Sequence, residues 1–215
     1  MKIAIIGATG FVGTALVNEF ASRNHTITAI ARNPKNEILE NVTWAKADVL
    51  DTETLADILN GHDAVVSAYN AGWTNPNIYD DFIAGAKAVQ EAVKKSGVKR
   101  FVVIGGAGSL FVAPGLQAVD TPDFPADIKP GATAARDYLN IIKEEKDLDW
   151  VFFSPAFEMH QGTKTGRTGK YRLGLENPVF NDENRSILSV EDLAVVIADE
   201  VETPKHHQVR FTAGY

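Results

Sequence analysis

The sequence begins with the stretch that decides its fold, Met1-Lys-Ile-Ala-Ile-Ile-Gly-Ala-Thr-Gly-Phe-Val-Gly13. Residues 3–6 form a short apolar run rich in isoleucine, which is typical of a buried parallel strand. Three glycines follow at three-residue spacing, and apolar residues then recur every three or four positions up to Phe20, which predicts a helix. Strand, glycine turn and helix in this order form the context that a dinucleotide-binding fingerprint requires.

Each glycine of this turn has its own expected task. Gly7 permits a tight turn, Gly10 lets the backbone approach a pyrophosphate, and Gly13 lets the helix pack closely on the strand. The helix N-terminus offers unpaired N–H groups and a partial positive charge to phosphate groups. The alternative is a tight turn that binds no ligand, since the spacing is GxxGxxG where many dehydrogenases have GxGxxG.

The remainder of the chain predicts the fold class. Strands alternate with helices up to about residue 153, which indicates an α/β fold, a Rossmann-type doubly wound parallel sheet, as a single NAD(P)-binding domain over residues 1–215. The alternation ends at Pro155, and we expect residues 155–190 to form part of a small C-terminal cap on the substrate side. A hairpin is predicted around Gly169-Lys-Tyr-Arg-Leu173. Residues 110–130 carry four prolines and no sustained period, so they predict a long loop that closes over a flat or apolar substrate.

Composition restricts the classes of partner. The 215 residues carry a net charge of −7 without a long basic run, which argues against nucleic acid. The absence of cysteine excludes disulfides, thiolate metal ligands and cysteine nucleophiles, and it fits a reducing cytoplasmic location. No stretch approaches the ~18 apolar residues of a membrane span, and the apolar run before Gly7 is too short for a signal peptide. No spacing typical of a metal site is present, so a small molecule is the expected partner.

Arg32 predicts which nicotinamide cofactor binds. In a doubly wound sheet the ligand lies beyond the carboxyl ends of the strands, and Arg32 follows the second predicted strand, residues 25–31. A carboxylate at this place would repel the 2′-phosphate of NADP, whereas a guanidinium pairs with it. No carboxylate ends this strand, so NADP(H) is favoured over NAD(H). The alternative is an exposed arginine without a ligand.

Other residues after strand ends are further cofactor candidates. Asp48, with Val49 beside it, is placed to accept a hydrogen bond from the adenine amino group, or else only to begin a helix. Tyr69 and Asn70 are expected to line the ribose and pyrophosphate, or else to form a turn. Ser154 follows the sixth predicted strand, residues 148–153, on the side expected to hold the nicotinamide.

Two hydroxyls are candidates for the chemistry. Ser109 closes Gly105-Gly-Ala-Gly-Ser109 after the fifth strand, where a hydroxyl can polarise a carbonyl that receives hydride, or else cap the local backbone. Tyr138 lies on a predicted helix, residues 133–146. A partner lysine four residues on would share its helix face, but Lys143 is five residues on, about 140° around the axis. We therefore expect Tyr138 to form a wall of the acceptor pocket.

Taken together, these motifs resemble the atypical short-chain dehydrogenase/reductase proteins, in particular their NmrA-like and biliverdin-reductase-B-like branch, often named NAD-dependent epimerase/dehydratase. The stretches that carry the resemblance are Ile5–Gly13, Ala31-Arg-Asn-Pro34, Ala47-Asp48, Gly105–Ser109, Phe153-Ser-Pro-Ala156 and Ile187–Ala194. The resemblance implies that the pyrophosphate is lined by Gly7, Thr9, Gly10, Phe11, Val12 and Gly13. It also implies that Arg32 binds the 2′-phosphate and that Asp48 and Val49 hold the adenine.

The function implied is that of an NADP(H)-binding oxidoreductase that transfers hydride to a flavin, quinone or carbonyl compound. In this reading the protein positions the reactants and the cofactor supplies the chemistry, with Ser109 as the main polar helper. One alternative is an NmrA-like sensor of the NADP(H) pool that has no turnover. Another is a sugar-nucleotide epimerase or dehydratase, which the displaced lysine argues against.

Overall fold

An eight-stranded sheet forms the centre of the protein, as seen in a computed structural model that describes residues 1–35 and 37–215. In chain order the strands are β1 Lys2–Ile6, β2 Thr26–Ala31, β3 Val42–Lys46, β4 Ala64–Ser67, β5 Arg100–Ile104, β6 Phe111–Ala113, β7 Leu116–Gln117, β8 Asp149–Ser154, β9 Arg172–Gly174 and β10 Val209–Gly214. The sheet order is β3-β2-β1-β4-β5-β8-β10-β9, and β6 pairs with β7 in a separate hairpin. All pairings in the large sheet are parallel except that of β9 with β10.

Five helices cover both faces of this sheet in the part of the chain that the structure describes: α1 Phe11–Ser22, α2 Thr52–Leu59, α3 Ile78–Ser96, α4 Lys129–Ile142 and α5 Val190–Glu202. Helices α1 and α5 pack together on one face, where Phe20 and Leu193 are fully buried. Helices α2, α3 and α4 cover the other face through residues such as Leu55 and Leu139. Since the central strands are buried on both faces, their sequences are almost continuously apolar. The predicted Rossmann-type, doubly wound fold is confirmed.

Local details differ from the sequence-based expectations. The predicted hairpin at residues 169–173 is wrong, because β9 pairs antiparallel with β10, about 40 residues further along the chain. The predicted loop 110–130 contains the β6–β7 hairpin and a 3-10 turn at Ala118–Asp120. Helix α4 begins at Lys129, earlier than the predicted start at residue 133. Pro130 suggested a loop, but it lies in the first helical turn, where proline is tolerated.

The parallel strands bring the site candidates to one edge of the sheet. Strands β1, β2, β4, β5 and β8 run in the same direction, so the residues that follow their carboxyl ends are neighbours. These residues are Gly7, Arg32, Tyr69, Gly105 and the segment after Ser154. Among the described residues, no helix combines the length and the apolar character needed to cross a bilayer.

Candidate functional site

The glycine turn after β1 is shaped by contacts that leave no room for side chains. Gly7 has a positive φ of 78°, and a Cβ on it would lie 2.6 Å from the carbonyl oxygen of Ala68 at the end of β4. A Cβ on Gly13 would lie 2.1 Å from the Gly7 carbonyl oxygen and 2.8 Å from Ala8 Cα. Because the obstructing atoms are backbone, these two positions require glycine. The turn therefore brings the head of α1 directly against the end of β1.

The N-terminus of α1 has no internal cap. Gly10 occupies the N-cap position without a side-chain hydrogen bond, and the first turn contains no acidic residue. The Gly10 N–H donates to the Gly7 carbonyl at 3.0 Å. Within residues 1–35 and 37–215, no acceptor pairs with the N–H groups of Phe11, Val12 or Gly13. Thr9 and Gly10 are exposed, so these donors and the helix dipole are open to an anion such as a pyrophosphate.

Arg32 and Asp48 lie beside this turn, at the ends of β2 and β3. Both are exposed, and no described carboxylate forms a salt bridge with Arg32. Asp48 accepts a hydrogen bond from the Leu50 N–H at 3.0 Å, and Val49 is half-buried against the core under α2. Asp48 thus forms a turn that still leaves its carboxylate at the surface. Both roles predicted for Asp48, binding the adenine amino group and beginning a helix, are compatible with this position.

Tyr69 follows β4, and its backbone nitrogen would lie 3.2 Å from a Cβ on Gly7. Burial raises the pKa of its phenol and Asp81 raises it further. The Tyr69 hydroxyl donates to the Asp81 carbonyl at 2.9 Å. A Cβ on Gly85 would lie 2.3 Å from the ring, so this glycine of α3 is what lets Tyr69 lie flat on the helix. The neighbouring Asn70 accepts from the Gly72 N–H at 2.7 Å, which closes a turn.

Ser109 and Ser154, predicted separately, lie in contact. Their hydroxyl oxygens are 2.8 Å apart, and the Ser109 hydroxyl donates to the Gly106 carbonyl at 2.9 Å. Both residues are fully buried. In this conformation neither hydroxyl faces the open edge, because both are used within the protein. A direct role of Ser109 in hydride transfer, or of Ser154 in cofactor binding, stays a prediction.

Tyr138 lies in the core beneath the site. It is 1% exposed, and its hydroxyl donates to Gln90 Oε1 at 3.1 Å. Burial raises the pKa of the phenol well above its ordinary value, which opposes proton release. With Tyr69 and Phe82 it lines a small apolar cavity between α3, α4 and the sheet. A role for Tyr138 in the reaction is untested, but its position suits a supporting wall.

The edge beyond β4, β5 and β8 has a backbone floor and an aromatic rim. Gly105 and Gly106 follow β5 and are half-exposed, and a Cβ on Gly105 would lie 1.9 Å from the Phe152 ring. Trp73, in the segment after β4, is 58% exposed. Phe157 follows β8 and packs edge-on against Phe180, with ring centres 6.4 Å apart and both rings partly exposed.

Sequence reasoning missed these three aromatic residues. Trp73 and Phe157 each stand within six residues of a strand end, which is a usable signal in a doubly wound sheet. Phe180 carries no such signal, because it reaches Phe157 only through the fold of the C-terminal segment. Exposed aromatic rings of this kind offer stacking surfaces for a flat ligand.

In the described residues, no group of three or more histidine or acidic side chains is close enough to hold a metal ion.

Comparisons with known proteins agree with this geometry. A family model described as NAD(P)H-binding matches residues 7–204. Uncharacterized protein YwnB of Bacillus subtilis is 35% identical over 99% of this chain and 97% of its own length. A structure from Bacteroides thetaiotaomicron, provisionally assigned as an epimerase, is 46% identical with a TM-score of 0.90, covering 100% of this chain and 96% of that one. A structure from Streptococcus pneumoniae, provisionally named an NADH-flavin reductase, is 33% identical with a TM-score of 0.85, covering 100% and 99%.

Proposed function

The chain belongs to the NAD(P)H-binding family of atypical short-chain dehydrogenase/reductase proteins, and on this premise we propose that it is an NADPH-dependent oxidoreductase that reduces a flat acceptor. The fold is that of NAD(P)H-binding oxidoreductases and epimerases. The observation that carries the proposal is the pairing, at one edge of the sheet, of an uncapped helix N-terminus with a glycine floor and an aromatic rim.

The phosphate groups of the cofactor fit the residues around the glycine turn. The free N–H groups of residues 11–13 suit the pyrophosphate, and no described acidic side chain competes with it in the first turn of α1. Arg32 is exposed and has no described carboxylate partner, so its guanidinium is available to a 2′-phosphate. We therefore propose NADPH rather than NADH as the preferred cofactor, with Asp48 and Val49 beside the adenine.

The acceptor side favours positioning over acid–base chemistry. Bound NADPH supplies the hydride, and the residues of this chain hold the acceptor against it. The half-exposed backbone of Gly105 and Gly106 lies beneath the acceptor, and Trp73 and Phe157 offer faces on which a planar molecule can stack. The hydroxyls of Ser109 and Tyr138 are buried, so the proton that completes the reduction comes from solvent. Flavins and quinones accept hydride in this way.

The direct test is oxidation of NADPH, followed by its absorbance, with free flavins, quinones and aldehydes as acceptors. We expect turnover with a flavin or quinone. We also expect Trp73→Ala to raise the KM for that acceptor and to leave the KM for NADPH unchanged. Ile38→Ala is the control, because Ile38 is an exposed apolar residue in the connection between β2 and β3, away from the turn after β5. Equal effects of the two substitutions would contradict the role of Trp73.

A sensor of the NADP(H) pool is the second candidate. Burial of Ser109 and Tyr138 and the displaced Lys143 favour it, because a sensor needs the cofactor site and no catalytic hydroxyl. Tight NADPH binding without turnover on any acceptor would establish this candidate against the reductase. Ser109→Ala separates the two further, since lost turnover with unchanged NADPH affinity would restore the predicted catalytic role of Ser109.

The epimerase alternative is tested with sugar nucleotides. The assignment given to the Bacteroides protein is the observation in its favour. Interconversion of a sugar nucleotide without net oxidation of cofactor would establish it.

A cytoplasmic location remains a prediction from the sequence, and fractionation of the producing cells tests it.

A further inference from the structure

A buried arginine lies under the acceptor side of the site. Arg210, the second residue of β10, has a fully buried side chain. One amino group of its guanidinium donates to the Ser109 carbonyl, and the other donates to both the carbonyl and the carboxylate of Glu176. The guanidinium also lies over the Phe111 ring, 5.3 Å from its centre. One side chain therefore contacts the turn after β5, the β6–β7 hairpin and the C-terminal segment.

The Ser109 carbonyl has a second donor from the opposite direction. Gln117 Nε2 donates to it at 2.8 Å, and Gln117 Oε1 accepts from Arg136 of α4 at 3.0 Å. The Ser109 N–H donates to the Gly106 carbonyl at 3.3 Å, and the hydroxyl is shared between Gly106 and Ser154. Every polar atom of Ser109 thus has a partner, and the turn Gly105–Ser109 has one defined shape.

Burial of this charge is costly for stability alone. Removing an arginine from water carries a penalty of several kcal/mol, and apolar residues of similar size often replace buried ion pairs without loss. Burial lowers the pKa of Arg210, which Glu176 partly offsets. The cost is concentrated at a turn whose half-exposed glycines form the floor of the acceptor side. A buried charge at this place suits a role in fixing geometry.

We infer that Arg210 is a positioning residue that fixes the Gly105–Ser109 turn relative to the C-terminal segment, so that cofactor and acceptor meet at the correct distance. The inference rests on the proposed function, since it assigns the turn to the acceptor side of that site. It adds that Glu176, about 30 residues before Arg210 in sequence, contributes to the same geometry through the guanidinium.

The experiment compares Arg210→Met with Arg100→Met. Arg100 is the matched control, because it is also a buried arginine of this sheet, paired with Glu200 and Asp149, but it lies at the start of β5, at the opposite edge. Hydrogen exchange of the ligand-free protein measures the turn directly. We expect faster exchange across residues 105–118 in Arg210→Met and no local change there in Arg100→Met. Unchanged exchange in Arg210→Met would overturn the inference.

Kinetics with the accepted flavin or quinone then test the functional half of the inference. In Arg210→Met we expect kcat to fall about 10- to 100-fold, with little change in the KM for NADPH, because misplacement by about 1 Å costs this much. Faster exchange with an unchanged kcat would overturn the positioning role. Gln117→Leu removes the other donor to Ser109, and we expect a smaller change in the same direction, which keeps the test valid where Arg210→Met does not fold.

Failure of the proposed function has a different signature. If the wild-type protein binds no NADPH, the proposed function falls, and the exchange data still decide whether Arg210 fixes the turn. If NADPH binds without turnover, kcat cannot be measured, and the fluorescence emission of the bound nicotinamide is compared between the variants instead. A changed emission in Arg210→Met but not in Arg100→Met supports the inference, and equal emission in both contradicts it.

Discussion

The cofactor side and the acceptor side of the site are built by different means. On the cofactor side, the glycine turn and the head of α1 present backbone N–H groups. The exposed Arg32 forms no salt bridge with a described residue. On the acceptor side, the buried charge of Arg210 joins segments that are distant in sequence. The first region is local and open, whereas the second depends on long-range side-chain contacts. Substitutions therefore act through backbone geometry in one region and through lost partners in the other.

The cofactor side is broken most severely by Gly13→Ala. The new Cβ would lie 2.1 Å from the Gly7 carbonyl oxygen, which the tight turn holds in place. We therefore expect the free energy of unfolding to fall by at least about 4 kcal/mol and NADPH binding to be lost. Urea unfolding and a cofactor titration measure both effects. Gly61→Ala is the control, because its Cβ meets nothing within 4 Å and its positive φ costs only about 1–2 kcal/mol. Equal losses in the two variants would show that the turn tolerates a side chain.

The C-terminal segment has its own buried charge, and Asp192→Asn removes it. The fully buried Asp192 carboxylate accepts from the N–H groups of Thr168 and Gly169, from the Thr168 hydroxyl at 2.5 Å and from the Tyr215 hydroxyl at 2.6 Å. In Asp192→Asn one acceptor oxygen becomes an NH₂ group, which is itself a donor and would lie against these N–H and O–H donors. We therefore expect the free energy of unfolding to fall by about 3–5 kcal/mol. Differential scanning calorimetry measures it.

The exposed neighbour Glu191 supplies the control for Asp192. Glu191→Gln lies in the same first turn of α5 and should change stability little. NADPH affinity should survive Asp192→Asn at temperatures where the protein is folded, because Asp192 bonds to Thr168, Gly169 and Tyr215 and not to the glycine turn. Lost affinity in the folded variant would show that this network also fixes the head of α1, against which α5 packs.

A pH titration tests a second buried charge that depends on its partners, Glu145, which follows α4 and lies near the start of β8. Burial opposes ionisation of Glu145, but the Asp147 N–H, Lys94 and Gln90 outweigh it and lower its pKa to about 2. Because the folded-state pKa is depressed from 4.5, the stabilisation is present above pH 4.5 and is lost as pH falls toward about 2. At about 1.4 kcal/mol per pKa unit, the loss is at most roughly 3.5 kcal/mol.

Acid unfolding of Glu145→Gln measures this contribution. We expect a flatter dependence of stability on pH between about 4.5 and 2 than in the wild type. Glu144→Gln changes an exposed neighbour and should leave the wild-type slope. Parallel slopes in all three proteins would show that Glu145 is not held in its ionised form by these partners.

Sequence patterns predicted the strand, glycine turn and helix at the start of the chain because these signals are local. Strand, glycine turn and helix lie within about 20 residues, and apolar periodicity gives the strand and helix types. The positions of Gly7 and Arg32 after β1 and β2 follow from the strand order. The fold class and the family were therefore predictable before any contact was known.

The acceptor side was less predictable because its partners are far apart in sequence. Arg210 reaches a carbonyl 101 residues away, and β9 pairs with a strand that begins about 35 residues later. No periodic pattern marks a buried arginine or distinguishes an edge strand from a local hairpin. Ser109 was placed correctly after β5, but only the folded chain shows its hydroxyl directed at Ser154.

The central claim is that the head of α1 and Arg32 together bind NADPH, and calorimetric titration tests it most directly. NADPH and NADH are titrated into the wild type, Arg32→Ala and Lys99→Ala, the last removing an equally exposed cation at the opposite edge of the sheet. We predict tighter binding of NADPH than of NADH, a loss of about 10- to 100-fold for NADPH in Arg32→Ala alone, and unchanged binding of NADH. Equal affinities for both cofactors that Arg32→Ala leaves intact would contradict the assignment of Arg32. Absence of binding by either cofactor would contradict the claim entirely.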